Sequence, residues 1–495
     1  MRLFVLAGAL FVFSFIPVQA TDRPNVLLIY TDDQTYQTLG CYRNEGAWPW
    51  VNTPNLDRLA AEGMRFTSAY GAAWCTPSRA CLLTGKLPHG IDGVKIKSVL
   101  DGGYDPLVCR FWPAELRKSG YETAMIGKWH LGHDSGHGRE WDYSLVWDQA
   151  DIKGDWYNNQ ILTLNGGPKE KFPGYSTDIY TQHATDFIRR PHEKPWLMWL
   201  CYNAPHNPQT VAHRHADRYR DADVSIPRDV FGPRPGKPSY LQTFTQWKAS
   251  ADASHPVPVQ SNGTPLPEVV RAYNRLVCAI DEGVGQILKS LEEIGQLEKT
   301  VIVFTSDQGF AWGNHGFAWK VGPYDACLRM PLLVRYPKVV QPGTVCHRPV
   351  TIVDIAPTIL NLTGVTVPWE LHGHDLTPLF VSGDAEPNRE ALMEFFRWEF
   401  GSETDRGITD GRNMSGVPWW IFYRHGKYKY IRTLEKDEIE ELYDLESDSE
   451  EMNNLAISPE EQGRLAEYRN RFLAELNRTK AKLTPNLPVP KALKP

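Results

Sequence analysis

Apolar runs separated by stretches of helical spacing organise this chain. Asn25–Thr31 (NVLLIYT) is almost continuously apolar and is bounded by Pro24 and an acidic pair, the pattern of a parallel strand covered on both faces. Glu122–Gly127, Pro195–Tyr202, Thr300–Ser306 and Pro331–Tyr336 repeat that pattern. Between them, Asn55–Met64, Ser176–Arg190, Pro267–Gly295 and Ile352–Leu362 read as helices. The first is entered through Thr53 as N-cap with Pro54 at the first helical position. Such alternation predicts an α/β fold built on a large, mostly parallel sheet sandwiched by helices. Two segments break the rhythm: Asp134–Tyr175, rich in Gly, Trp, Tyr and Asp, and the proline-rich Pro205–Pro267. Both are expected to be irregular, and loops of that length inside a compact domain are usually functional.

Past about Gly383 the pattern changes. Trp419–Tyr423, a His425-Gly426 turn and Lys427–Thr433 predict an antiparallel hairpin, and Pro459–Lys480 predicts a helix. The expected organisation is a catalytic domain over 21–383 and a smaller C-terminal α+β domain, containing an antiparallel sheet, over 384–495. Residues 1–20 read as a secretory signal peptide: Arg2, an apolar Leu3–Pro17, then Val18-Gln19-Ala20 as a small-x-small cleavage site. That leader implies export, to the periplasm or medium in a bacterium and to the secretory or lysosomal route in a eukaryote. No later run has the length of a membrane span. The charge-rich Lys436–Glu441 and Glu446–Glu451 read as solvated surface.

With 42% hydrophobic and 12% aromatic residues, the 495-residue chain can bury a large core, which excludes disorder for most of its length. Its 53 Lys+Arg against 59 Asp+Glu leave a formal charge of −6 and argue against a nucleic-acid partner. Eight cysteines are too few for a disulfide scaffold and form no CxxC zinc pattern. Cys201 and Cys278 read as small buried hydrophobes.

Ligands of open α/β sheets bind beyond the carboxyl ends of the strands. Asp32-Asp33 follow the first strand, Lys128 and His130 the second, Asn203–His206 the third and Asp307-Gln308 the fourth. Asp32-Asp33 alone also suits a turn cap. Joined by Asp307 and the Gln308 amide oxygen, the pair makes an all-oxygen set for a hard divalent cation, Ca²⁺ or Mg²⁺. His133 and His137 read as loop histidines rather than zinc ligands. Cys75-Thr76-Pro77-Ser78-Arg79 opens a short helix closed by Gly85, which places Cys75 at a helix N-terminus, a favourable place to attack an anionic ester. Arg79 lies on the same side.

Cys75-Thr76-Pro77-Ser78-Arg79 matches the C-x-P-S-R signature of the type I sulfatases, and Gly120–Gly132 (GYETAMIGKWHLG) resembles that family's second signature. The likeness runs from Asn25 to about Leu455 and includes Ser306-Asp307-Gln308-Gly309. The resemblance implies an alkaline-phosphatase-like fold and a sulfuric ester hydrolase. It implies that Cys75 is converted to Cα-formylglycine by a formylglycine-generating enzyme, and that catalysis passes through a covalent sulfo-enzyme. Asp32, Asp33, Asp307 and Gln308 would hold Ca²⁺, ahead of Mg²⁺, with the modified Cys75 as a further ligand. Arg79 and Lys128 would hold the formylglycine hydrate, His130 would be the base for elimination, His206 the acid for the departing alcohol, and Lys320 a sulfate ligand. Gln308 departs from the usual Asn and should shift the geometry while keeping an amide oxygen. A sulfated carbohydrate is the expected substrate, with Trp48, Trp50, Trp141, Trp147, Trp156, Trp312, Trp319, Arg397 and Trp398 as candidate sugar contacts. An arylsulfatase, a phosphonate or phosphodiester hydrolase, and a glycan-binding protein with unmodified Cys75 remain as alternatives. The sugar, the sulfate position and the oligomeric state are left open.

Overall fold

The strands of the main sheet are β1 (Asn25–Thr31), β2 (Met64–Tyr70), β3 (Glu122–Lys128), β4 (Tyr143–Trp147), β5 (Ile161–Leu164), β6 (Lys169–Lys171), β7 (Trp196–Cys201), β8 (Thr300–Ser306), β9 (Arg329–Arg335) and β10 (Thr344–Cys346). They follow the order β10-β2-β9-β8-β1-β7-β3-β4-β5-β6, with Val350–Thr351 also pairing β2. This computed structural model describes residues 23–96, 102–148, 155–250, 257–396, 411–413 and 415–491. The leader over 1–20 and the candidate contacts Arg397 and Trp398 lie outside the described residues.

Every residue of β1 is buried, because both faces of the sheet are covered. Val26, Leu28 and Tyr30 join one apolar cluster and Leu27 and Ile29 the other, and β8 divides in the same way. Helices α1 (Pro54–Ala61), α3 (Ser176–Arg189) and α4 (Leu266–Glu293) cover the second face, while α2 (Cys75–Thr84) lies on the first. The central strands β8, β1, β7, β3 and β4 are parallel, as expected.

Several local expectations change. The strand expected at Pro331–Tyr336 forms as β9, but it runs antiparallel to β8. The link from β8 holds a 3-10 turn at Asn314–Gly316 and the four-residue helix Asp325–Leu328 but no crossover helix, so the chain turns back beside the strand it left. Asp134–Tyr175 is not wholly irregular: β4 pairs parallel to β3, and β5 and β6 extend the edge as an antiparallel hairpin. The edge strand β6 is Lys-Glu-Lys and fully exposed, a charged edge that discourages further pairing. β2 escaped the apolar reading because it carries Arg65, buried against Glu45 at 2.7 Å. Thr53 makes no side-chain cap; instead the Asp281 carboxylate of α4 accepts the Asn55 and Leu56 amides at 3.1 and 2.8 Å.

A second sheet follows, β11 (Glu390–Phe395), β12 (Trp420–His425), β13 (Tyr428–Thr433) and β14 (Glu441–Asp444), antiparallel in that order. Its β12–β13 pair is the expected hairpin, and α5 (Gln462–Arg478) packs behind it. The sheet joins the apolar cluster on the α2 side. The two charge-rich runs here are not solvated throughout. Glu438, Glu440, Glu441 and Glu451 are buried, and Lys429 pairs with Asp325 and Glu451 at 2.8 Å each. Lys237 approaches Glu441 at 3.8 Å. The countercharges come from segments distant in sequence, which a local reading of charge does not see. All eight cysteines are unpaired, with Cys201 and Cys278 buried. No described helix is long and apolar enough to cross a membrane.

Candidate active site

The parallel register gathers the strand ends. Thr31 sits opposite Ser306, Tyr30 opposite Cys201 and Gly127 opposite Cys201, so Asp32-Asp33, Asp307-Gln308, Lys128 and the segment after β7 leave one edge together. Asp33 and His130 both have positive φ, 63° and 58°, a conformation that costs energy for a non-glycine residue and recurs at functional sites.

Helix α2 delivers Cys75 to the same edge. Trp74 enters it with extended backbone, Gly85 leaves it at φ 69°, and all ten residues between are buried. The Ser78 hydroxyl accepts from Ala72 N–H at 2.9 Å and donates to the Asp307 carbonyl at 2.5 Å, binding the helix to the end of β8. Gly71 makes that approach feasible, since a Cβ there would lie 1.9 Å from the Asp307 carbonyl oxygen. Arg79 donates to Asp32 Oδ2 at 3.0 Å and to the Lys128 carbonyl at 2.5 Å.

Charge alternates across the site. The Cys75 thiol donates to Asp32 Oδ1 at 3.2 Å, and the Lys320 ammonium donates to Cys75 Sγ at 3.0 Å and to Asp33 Oδ1 at 2.5 Å. Lys128 pairs with Asp32, and His206 Nε2 lies 3.5 Å from Asp33 Oδ2. Burial pushes the Asp32 carboxyl up, but Lys128, His206, Arg79 and Lys320 outweigh it and hold the group well below the carboxylate range. Asp307 goes the other way, raised well above its ordinary value by burial and then by Asp32, Cys75 and Asp33. Burial, with Lys128 and Arg79 behind it, holds His130 well below the usual imidazole range. Burial also lowers His206 despite Asp33, and it raises the Cys75 thiol.

The oxygen set fits a divalent cation. Asp307 Oδ2 and Gln308 Oε1 are buried without a protein partner, and three carboxylates meet more negative charge than the nearby ammonium groups neutralise at Asp307. Ligand atoms of Asp32, Asp33, Cys75 and His206 lie within 4.8 Å of one another. The Gln308 amide nitrogen bonds Asp33 Oδ1, so its oxygen faces away from that carboxylate. All ten site residues read from the sequence therefore converge around Cys75.

Other candidates separate. Trp141, Trp147 and Trp312 are buried in the core, Trp48, Trp50 and Trp156 are half-buried, and Trp319 is 47% exposed. His133 and His137 find Asp148 and Ser144 instead of the cluster. Two supporting contacts have no local signature in the chain. The Trp156 ring stacks on His206 at 5.0 Å and 16°, and His206 Nδ1 meets the Asn207 carbonyl at 2.6 Å, which leaves Nε2 for chemistry. The Tyr273 hydroxyl, on α4, bonds the Asp33 carbonyl and accepts the Thr35 amide at 2.9 Å. Both links cross long sequence separations.

A family model described as Sulfatase matches residues 24–365, and one described as N-sulphoglucosamine sulphohydrolase, C-terminal, matches 313–479. An N-acetylglucosamine-6-O-sulfatase of Bacteroides thetaiotaomicron is 30% identical, with 88% of this chain and 83% of the relative covered. A human N-acetylgalactosamine-6-sulfatase is 27% identical over 84% of this chain and 81% of its own. A solved structure described as a complex with its substrate D-glucosamine-2-N,6-O-disulfate superposes at a TM-score of 0.77 and 27% identity, covering 92% and 98% of the two chains. A phosphonate monoester hydrolase of Agrobacterium radiobacter shares the fold at a TM-score of 0.66 and 21% identity, covering 92% and 96%.

Proposed function

The chain belongs to the sulfatase family, and from that premise we propose that it is an exported enzyme that removes sulfate from a sulfated carbohydrate, with Cys75 as the precursor of its nucleophile. The observation that carries this reading is the setting of Cys75. It opens a buried helix with Asp32 and Lys320 at 3.2 and 3.0 Å from its sulfur, where four strand ends meet.

In this reading a formylglycine-generating enzyme converts Cys75 during maturation, and the hydrated aldehyde supplies the oxygen nucleophile for sulfur. A divalent cation, Ca²⁺ ahead of Mg²⁺, held by Asp32, Asp33, Asp307 and the Gln308 amide oxygen with residue 75, supplies Lewis-acid polarisation when bound. The remaining work belongs to side chains. Lys320, whose ammonium lies 3.0 Å from the residue-75 sulfur, stabilises charge growing on the sulfate oxygens, while Lys128, paired with Asp32, holds the hydrated residue 75 together with Arg79. Arg79 fixes Asp32 from behind. His206 presents Nε2 at the mouth, where a proton held there passes to the departing alcohol oxygen; a sugar alcohol is a poor leaving group and needs it. His130 has both ring nitrogens without protein partners and is held neutral by burial, so it can accept the proton of the residue-75 hydroxyl.

The relatives named for N-acetylglucosamine and N-acetylgalactosamine 6-sulfates support a sugar sulfate as the substrate class. The exposed Trp319, next to Lys320, supports a sugar at the mouth. The leader over 1–20 supports export. Desulfation of defined sulfated mono- and oligosaccharides, set against an aryl sulfate and a phosphonate monoester, tests the assignment. Better turnover of a sugar sulfate is expected; a higher kcat/KM on the aryl sulfate or the phosphonate would remove the carbohydrate assignment.

A further inference from the structure

A second concave site lies at the opposite end of α2. The helix runs from Cys75 to Thr84, a rise of about 14 Å along its axis from the catalytic residue. Beyond Gly85 the chain borders a cavity of ≈ 290 Å³ whose lining includes Lys86, Ile91, Leu107, Val108, Arg110 and Trp369. The indole is half-buried and held in place, with Nε1 donating to the Thr84 carbonyl at 2.9 Å. Leu107 and Val108, which also line the cavity, are 86% and 55% exposed and leave aliphatic surface open to solvent. Among the described residues, neither the Lys86 ammonium nor the Arg110 guanidinium has a carboxylate in ion-pair range. Asp92 adds one carboxylate to the wall.

Each group answers one part of a single ligand chemistry. A fixed indole and flanking aliphatic side chains present a flat apolar surface to the C–H face of a sugar ring. The Lys86 ammonium and the Arg110 guanidinium offer sites to anionic substituents, with the guanidinium suited to two oxygens at once. A purely apolar peptide would leave both cations unused, and the acidic chain disfavours a nucleic acid. We infer that this cavity is a non-catalytic binding site for a sulfated sugar unit, and that it anchors polymeric substrate on the enzyme. The inference rests on the carbohydrate sulfatase reading. Anchoring raises the effective concentration of a polymer at the catalytic edge and does nothing for a monosaccharide.

The test uses the full chain with Cys75→Ala, so that binding is read without turnover, and the probes are a heparin hexasaccharide, dextran sulfate and neutral dextran. Calorimetry or affinity electrophoresis should show binding to the two sulfated probes and none to dextran. The paired change Lys86→Met and Arg110→Met should weaken it about tenfold or more, as should Trp369→Ala. Lys86 and Arg110 lie at the surface, so the double variant stays informative if Trp369→Ala fails to fold. With Cys75 restored, the double variant should keep wild-type kcat/KM on a monosaccharide sulfate and lose it on the hexasaccharide. Unchanged binding in the double variant, or equal binding to neutral dextran, overturns the site. Binding that depends on Lys86 and Arg110 in a protein that cleaves no sulfate ester upholds the site and removes the proposed function instead.

Discussion

The Ser78 hydroxyl carries two buried backbone groups, and removing it should be among the more costly single-atom changes in this fold. In Ser78→Ala the Ala72 N–H, which donates at 2.9 Å, and the Asp307 carbonyl, which accepts at 2.5 Å, both lose their partner. Ser78 is fully buried, so water does not replace the hydroxyl without rearrangement. A buried unsatisfied polar group costs about 1–3 kcal/mol, so the pair should cost roughly 2–4 kcal/mol after relaxation. Ser290→Ala is the control. That hydroxyl is equally buried but only donates at 2.9 Å to Gln286, a carbonyl four residues back in α4, and its loss should cost about 1 kcal/mol or less. Urea unfolding followed by circular dichroism, with matched transition slopes, reads both variants. Ser78→Ala should also let the N-terminus of α2 shift away from β8, lowering sulfate release about tenfold per modified residue 75. Because Ser78 lies within the modification signature, activity is normalised to formylglycine content. An unfolding midpoint for Ser78→Ala equal to or above that of Ser290→Ala would refute the tether.

Chelation should lower both the melting temperature and sulfate release, with Ca²⁺ restoring each in proportion to occupancy; Gln308→Asn should keep the Ca²⁺-dependent rise in melting temperature and Gln308→Leu should lose it. A melting temperature insensitive to chelator and Ca²⁺ would contradict the oxygen site. Trp156→Ala should reduce kcat on sugar sulfates about ten- to a hundredfold while sparing an aryl sulfate with a good leaving group, because the stacked indole holds the His206 ring; equal losses on both would contradict this role. Burial raises the Asp281 carboxyl from 3.8 to about 6, so its stabilising contribution is fully present below about pH 3.8 and is lost as pH rises through about 6. Relative to Asp281→Asn, the wild type should therefore lose up to roughly 3 kcal/mol between those limits; a pH-independent difference in urea midpoint would contradict the shift.

What the sequence made legible follows from how the fold is stabilised. Strands buried on both faces have to be apolar nearly throughout, so β1 and β8 stand out, and the residues after parallel strands share one edge by topology. That topology alone puts Asp32, Asp33, Lys128, His130, His206, Asp307 and Gln308 together, and the C-x-P-S-R motif adds Cys75 and Arg79 to them. Features compensated from a distance stayed hidden. β2 carries Arg65, which is tolerable in a buried strand because Glu45 meets it at 2.7 Å and the Tyr42 ring lies 4.9 Å from its guanidinium. Glu441 and Glu451 look solvated until Lys237 and Lys429 arrive from other segments. The direction of β9 depends on a link that lacks a crossover helix, which no strand pattern reports. The stacking of Trp156 on His206 joins residues fifty positions apart, with nothing in the local pattern of either to announce it.

The central claim is that residue 75 acts as a formylglycine, and one measurement meets it directly. Protein produced alongside a formylglycine-generating enzyme is digested, the peptide spanning Cys75 to Arg79 is analysed by mass spectrometry, and sulfate release from a sugar sulfate is assayed on the same preparation. The expected result is formylglycine at position 75, with release proportional to the modified fraction and none from Cys75→Ala. Full sulfate release from protein whose Cys75 is an unmodified thiol, or from Cys75→Ala, would contradict the account.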